Sequence, residues 1–198
     1  MVDVSTVWTG PAFKYLWSTT VAFGAALDLD RSFDEFVARR SAGLLRSAYL
    51  LCGDRGGAED LLQDVLVRTA RRWPAARAAP DGYAYRVLLN LLHDRHRASL
   101  RRVMEQPLDD RTGIVGDHAD FVGERDAIVR AVRLLPGRQR EVVVLRFFAD
   151  LSVSETAAAI GASQGSVKTH TSRALARLRE VLATNTSADP RPEVRRAQ

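Results

Sequence analysis

Between Ser152 and His170 the chain reads Ser-Val-Ser-Glu-Thr-Ala-Ala-Ala-Ile-Gly-Ala-Ser-Gln-Gly-Ser-Val-Lys-Thr-His, a segment that few folds accommodate. Ser152 and Glu155 stand three residues apart in capping-box spacing, so a short helix starts at this point. Gly161 supplies the positive φ that a tight turn into a following helix requires. Ser163 then stands where it caps a second helix from Gln164. Ala157, Ala158 and Ile160 on the first helix, with Val167, Leu175 and Leu178 on the second, give the pair a shared apolar face. This is the pattern of a helix-turn-helix.

The solvent side of the second helix presents Gln164, Ser166, Lys168, Thr169, His170, Ser172 and Arg173, with Arg177 and Arg179 further along. Short polar side chains at the start of a helix can reach base edges in a major groove, while later arginines meet phosphates. A solvated amphipathic helix in a bundle is the bland alternative, but the capped turn and four bases against Glu180 alone favour duplex DNA. The charge agrees: the 198 residues carry a formal +5, and of 29 basic residues only Lys14 and Lys168 are lysines. Arginine suits bidentate contacts to phosphate and to base edges.

Upstream, apolar residues recur at helical spacing from Phe33 to Leu51, and Gly53 stops the run. A second helix is expected from about Gly57 to Trp73, with Glu59 and Asp60 in its first turn and Arg68, Arg71 and Arg72 in its last. Pro74 to Gly82, rich in Ala and Pro, reads as a loop, and a third helix carries Tyr83 to about Arg102. Residues 103–123, with Pro107, three glycines and five acids, read as a flexible acidic linker. Helices are expected again over Glu124–Leu135, Arg138–Phe148, Val153–Ile160 and Gln164–Ala183. The expected fold is all-α. Two small helical domains, 31–102 and 124–183, are joined by the linker, and the second is a helix-turn-helix of winged-helix-like type. Residues 1–30 form an aromatic-rich extension of unassigned role, and 184–198 a disordered tail.

The second helix places Glu59, Asp60, Gln63 and Asp64 on one polar stripe, with Leu61, Leu62, Val65 and Leu66 turned the other way. An acidic stripe on a basic protein does not suit DNA; it is a solvated face or a docking surface for a basic protein partner. The third helix begins with Tyr83 and Tyr85 and carries Arg86, Arg95, Arg97, Arg101 and Arg102 against one acid, Asp94. Rings beside guanidinium groups suit single-stranded nucleic acid. Trp73, Arg77, Tyr83, Tyr85, Arg86, Asn90 and Arg97 are the candidates, although Trp73, Tyr83 and Tyr85 serve equally well as core residues. His93 and His96 share a helix face, but a third ligand and an anionic setting are lacking, so no metal site is assigned. Neither a phosphate-binding glycine loop nor a nucleophile elbow nor a zinc-protease motif occurs, which argues against catalysis and for no cofactor.

Cys52 is the single cysteine, which excludes an internal disulfide and fits a reducing cytoplasm. The longest apolar run near the start, Val21 to Leu27, is too short to span a bilayer, and a basic start with an apolar stretch is missing. The expectation is a cytoplasmic protein without membrane insertion.

Three motifs, in order, resemble the extracytoplasmic-function (ECF) sigma factors of the sigma-E-like group: Glu59-Asp-Leu-Leu-Gln-Asp, then Tyr83-Ala-Tyr-Arg through Asn90 and Asp94 to Arg97, then Leu135-Pro-Gly-Arg-Gln-Arg-Glu-Val to the last helix. The resemblance runs from about Phe33 to Leu182. It implies that Asp60, Gln63 and Asp64 meet the β′ clamp helices of RNA polymerase. It further implies that the third helix and the loop before it capture the melted minus-ten strand with a flipped-out base, and that the helix from Gln164 reads the minus-thirty-five element as duplex. The implied partners are core polymerase, through its β′ clamp and β flap, and promoter DNA; an anti-sigma factor is admitted. Tyr83 stands where the family often has Trp, which preserves an aromatic ring and leaves its stacking role open; Thr169-His170 stand where the family commonly has Ser-Arg, so no known minus-thirty-five sequence carries over. The rival is a stand-alone helix-turn-helix regulator that binds a palindromic site without polymerase.

Overall fold

The computed structural model describes residues 31–105 and 124–187, so the expectations for residues 1–30, for the linker from residue 106 and for the tail from residue 188 lie outside it. The first unit holds α1 (Arg31–Cys52), α2 (Arg55–Arg71), the single turn α3 (Trp73–Ala76) and α4 (Pro80–Glu105). The second holds α5 (Glu124–Arg133), α6 (Gly137–Val143) with a π-helical continuation over Val144–Phe148, α7 (Val153–Ile160) and α8 (Gln164–Ser187). Every regular element among the described residues is helical. The winged-helix likeness is therefore confined to the helices.

The apolar stripe of α1 is buried as its spacing requires: Phe33, Phe36, Val37, Leu44, Leu45, Ala48 and Leu51 all face the core. Gly53 ends the helix at φ +80, its N–H donating to the Tyr49 carbonyl at 2.7 Å. Asp54 then caps α2 by accepting from the Gly57 N–H at 2.5 Å, so α2 starts two residues before the expected Gly57. In consequence Glu59 and Asp60 lie beyond the first turn, and the N-terminal dipole is met by Asp54 instead.

The segment from Trp73 to Gly82 departs most from the sequence expectation. Trp73 leaves α2 and opens α3, with Pro74 in its first turn where a missing N–H costs nothing. The Trp73 ring lies 5.1 Å from Phe33 and 5.4 Å from Phe36 between centroids, and its indole N–H donates to Ser32 Oγ at 2.9 Å. Burial of this one ring pulls the chain inward and turns what reads as a loop into a helical turn. Pro80 then starts α4 three residues before Tyr83, and α4 runs about one turn past Arg102.

In the second unit α6 expands after Val143, where the Ala149 N–H reaches the Val144 carbonyl and the Leu151 N–H the Leu145 carbonyl, both at 3.0 Å. The wide turn buries Val144 and Leu145 and leaves Phe147 exposed. Asp150 closes it at φ +56. On α7 the buried set is Thr156, Ala157, Ala159 and Ile160; Ala158, expected on the apolar face, is exposed. The two units also pack on each other, α4 against α7 and α1 against both the π turn and α5, and one continuous set of buried side chains runs through both.

Candidate nucleic-acid interface

The helix-turn-helix is built as its caps dictate. Ser152 Oγ accepts from the Glu155 N–H at 3.1 Å while Glu155 Oε2 accepts from the Ser152 N–H at 2.7 Å. These hydrogen bonds hold the Glu155 carboxyl below the ordinary glutamate value. Gly161 turns the chain at φ +65, ψ +41, and Ser163 Oγ accepts from the Ser166 N–H at 3.1 Å to start α8. Val167 and Ala174 are fully buried, which fixes the roll of α8 about its axis.

That roll leaves Gln164, Lys168, Thr169, Ser172, Arg173 and Arg177 exposed, while Ser166 and His170 are half-buried at the margin. The Thr169 hydroxyl donates to the Gly165 carbonyl at 3.0 Å. Beside this face, Arg146, Lys168 and Arg179 converge with Thr171 and Ser172 around a shallow pocket. Arg146 was not among the expected residues. Its place depends on the π turn, for which no sequence pattern exists, and its guanidinium is held by the Leu151 carbonyl.

On α4, Arg86, Asn90 and Arg97 are exposed and Tyr83 is half-buried; their spacing puts them on one outward stripe, and Arg77 is exposed on the turn before it. Trp73 and Tyr85, expected as stacking candidates with core packing left open, are core residues, 4% and 2% exposed. Burial pushes the Tyr85 phenol up from its ordinary value. Neither ring offers a face to a base. His93 does not share a ligand set with His96: its Nε2 lies 2.8 Å from Glu141 of α6, and His96 is exposed.

Asp60, Gln63 and Asp64 form an exposed stripe on α2, backed by the buried Leu61, Leu62, Val65 and Leu66. Arg95 of α4 donates to Asp64 Oδ2 at 3.2 Å and to the Gly57 carbonyl at 3.0 Å, tying this stripe to the helix that carries Arg86 and Asn90. The protein thus has a basic duplex-sized face, a basic stripe with a half-open ring, and a separate acidic stripe.

The sequence falls into the same two parts: residues 36–102 match the family described as Sigma-70 region 2, and residues 125–178 the one described as Sigma-70, region 4. The RNA polymerase sigma-E factor of Streptomyces avermitilis is 42% identical over 153 residues, covering 76% of this chain and 84% of that protein. The chain belongs to the ECF sigma factors. Another member, SigM of Mycobacterium tuberculosis, is 32% identical over 155 residues, covering 76% of this chain and 77% of the relative. Two solved structures share the fold of this sigma factor. The Bartonella quintana sigma factor RpoE, in complex with the anti-sigma factor NepR, has a TM-score of 0.66 at 23% identity over 78% of this chain and 98% of that one. CnrH, in complex with the cytosolic domain of CnrY, has a TM-score of 0.55 at 22% identity over 87% of this chain and 98% of that one.

As a sigma factor the protein directs RNA polymerase in transcription initiation. A stand-alone regulator would need the helix-turn-helix alone, whereas α1, α2 and α4 carry the region 2 match. Among the described residues no helix is long and apolar enough to cross a membrane.

Proposed function

We propose that this sigma factor reads the minus-thirty-five element as duplex with α8 and holds the melted minus-ten strand on the outer stripe of α4. Gln164, Lys168, Thr169, Ser172 and Arg173 reach base edges, with Ser166 and His170 at the margin. Arg177 meets phosphates. Arg86 and Arg97 follow the single-stranded backbone, Asn90 hydrogen-bonds a base edge, Tyr83 stacks, and Arg77 adds charge beside them. Trapping an unstacked base offsets a melting cost of about a few kcal/mol.

Asp60, Gln63 and Asp64 dock on the β′ clamp of core polymerase, and the second unit meets the β flap. Docking holds two weak DNA-binding halves at a matched spacing, which raises the effective concentration of the second contact once the first is made. The chain supplies binding and no catalysis, and acts in the cytoplasm. An anti-sigma protein is admitted as a further partner by the same resemblance.

The observation that carries this reading is the exposed polar face of α8, rolled outward by the burial of Val167 and Ala174. Run-off transcription from a promoter library, with core polymerase alone, with the intact protein, and with an Asp60/Gln63/Asp64-to-Ala variant, tests it. Transcripts are expected only with the intact protein. Tight duplex binding by the free protein with no redirection of polymerase would overturn it.

A further inference from the structure

Beside the reading face of α8 lies a concavity of about 340 Å³, walled by Arg146 of the π turn, Val153 at the start of α7, and Lys168, Ser172, Leu175 and Arg179 of α8. No carboxylate lines it, and none of its three cations makes an ion pair among the described residues. Arg146 is half-buried and commits one N–H to the Leu151 carbonyl; the rest of its fork has no acceptor among the described residues. Ser172 is exposed, and its hydroxyl makes no hydrogen bond among the described residues. Like charges gathered around one hollow repel each other, and a bound anion removes that repulsion.

The concavity faces away from the outermost arginines of α8. At about 100° per residue, Lys168, Ser172, Leu175 and Arg179 fall within about 60° of one another around the helix, and Arg173 and Arg177 lie about 120–180° from Lys168 and Arg179. The volume is in the range of small-ligand clefts, about 300–1,000 Å³. Val153 and Leu175, both half-buried, give the hollow an apolar side. A duplex strand presents one charge per about 3.4 Å of axis, each followed by a sugar. Three cations drawn to one hollow match several negative charges on one short chain, and the apolar side next to them matches a flat ring. A chain of phosphate groups on a nucleoside carries both.

We propose that this concavity binds a nucleoside di- or triphosphate, and that the bound ligand withdraws Lys168 and Ser172 from promoter DNA. The withdrawal rests on the duplex-reading role given to α8 above; the site itself does not. Arg146, Lys168 and Arg179 hold the phosphate oxygens by charge-assisted hydrogen bonds, Ser172 adds a hydroxyl donor, and the base lies against Val153 and Leu175. Ligand and duplex need the same two side chains, so each lowers the affinity for the other by the same factor.

Isothermal titration calorimetry of the full chain with ATP, with GTP and with inorganic tripolyphosphate tests the site. Saturable one-to-one binding of at least one nucleotide is expected, about tenfold tighter than tripolyphosphate because only the nucleotide buries a ring. Arg179→Gln, at an exposed position, is expected to weaken it about tenfold. Arg177→Gln removes the same charge from the other side of α8 and should change it by less than about twofold. In fluorescence anisotropy the nucleotide is expected to weaken binding of a minus-thirty-five duplex to the parent, and to do so less in Arg179→Gln at the same concentration. No saturable nucleotide binding overturns the proposal; a salt slope for duplex binding lowered by about 1 in Arg179→Gln then makes backbone phosphate the occupant. Equal weakening by Arg177→Gln, or tripolyphosphate binding as tightly as the nucleotides, overturns it as well. Nucleotide binding with no loss of duplex affinity overturns the withdrawal. If the parent binds no duplex and never redirects polymerase, the reading of α8 fails, and calorimetry still decides the site.

Discussion

Arg40 in the middle of α1 and Asp81 in the first turn of α4 form a fork-to-fork ion pair across 41 residues of chain, with Nε donating to Oδ1 at 2.8 Å and the terminal nitrogen to Oδ2. Two parallel hydrogen bonds between planar groups fix direction as well as distance. The pair therefore sets where α4 begins relative to α1, and with it the position of Tyr83 and Arg86. Asp81 also lies at the end of α4 where a negative charge meets the helix dipole favourably.

Asp81→Ala is expected to destabilise the protein by about 1–2 kcal/mol, because both partners are part-exposed and the gain is screened by solvent. The urea midpoint at constant slope measures it. Arg40→Lys should recover less than half, since an ammonium cannot bond both oxygens in the plane.

Trp73→Ala is expected to cost about 3–5 kcal/mol, the loss for a fully packed aromatic ring. Trp73→Phe keeps the contacts with Phe33 and Phe36 and gives up the hydrogen bond to Ser32, so it should cost about 1–2 kcal/mol and leave run-off transcription near the parent level. A large loss of transcription in a stably folded Trp73→Phe protein would instead point to contact with DNA.

Ser152→Ala removes the acceptor for the Glu155 N–H and is expected to cost about 1 kcal/mol. The cap also carries a pH dependence with a definite sign. The Glu155 carboxyl is depressed in the folded protein, first by its hydrogen bonds with Ser152. Its contribution is complete above the ordinary glutamate value and is lost as pH falls from there through the depressed folded value. Thermal unfolding of the parent and of Glu155→Gln should converge at low pH and differ at neutral pH.

Arg173 and Arg177 lie one turn apart on the exposed face of α8 and are expected to differ in kind. Arg173→Ala should weaken promoter binding by the assembled polymerase by about 1–3 kcal/mol and relax the sequence preference. Arg177→Ala should weaken binding to all sequences alike and lower the slope of log affinity against log salt by about 1. Fluorescence anisotropy over a salt series, with matched and scrambled minus-thirty-five duplexes, separates the two.

The helix-turn-helix was legible because its signals are local. Ser152 and Glu155 are three residues apart, Gly161 is needed by its own φ, and Val167 with Leu178 mark one face of a single helix. Interactions of this range form wherever the chain is helical, whatever packs against it. The stripe of α1 is similar, since seven apolar positions at helical spacing leave one face to bury. Trp73 and Tyr85 were not decidable in the same way, because a ring near a helix end fits either the core or the surface until the neighbouring helices are in place, and Ala158, expected on the apolar face, is exposed because the core takes Thr156 and Ala159 instead.

What the amino-acid order determined by itself is the longer helices, the caps at Ser152 and Ser163 and the exposed polar stripes of α2 and α8, because these follow from spacing and from bonds made within a few residues. Tertiary structure alone decided that α6 widens into a π turn which places Arg146 beside Lys168, that Trp73 folds a loop into α3, and that His93 finds Glu141 across 48 residues. Each depends on which surfaces meet. No local pattern encodes that, because the free energy of a long-range contact includes the desolvation of both partners and the ordering of the chain between them.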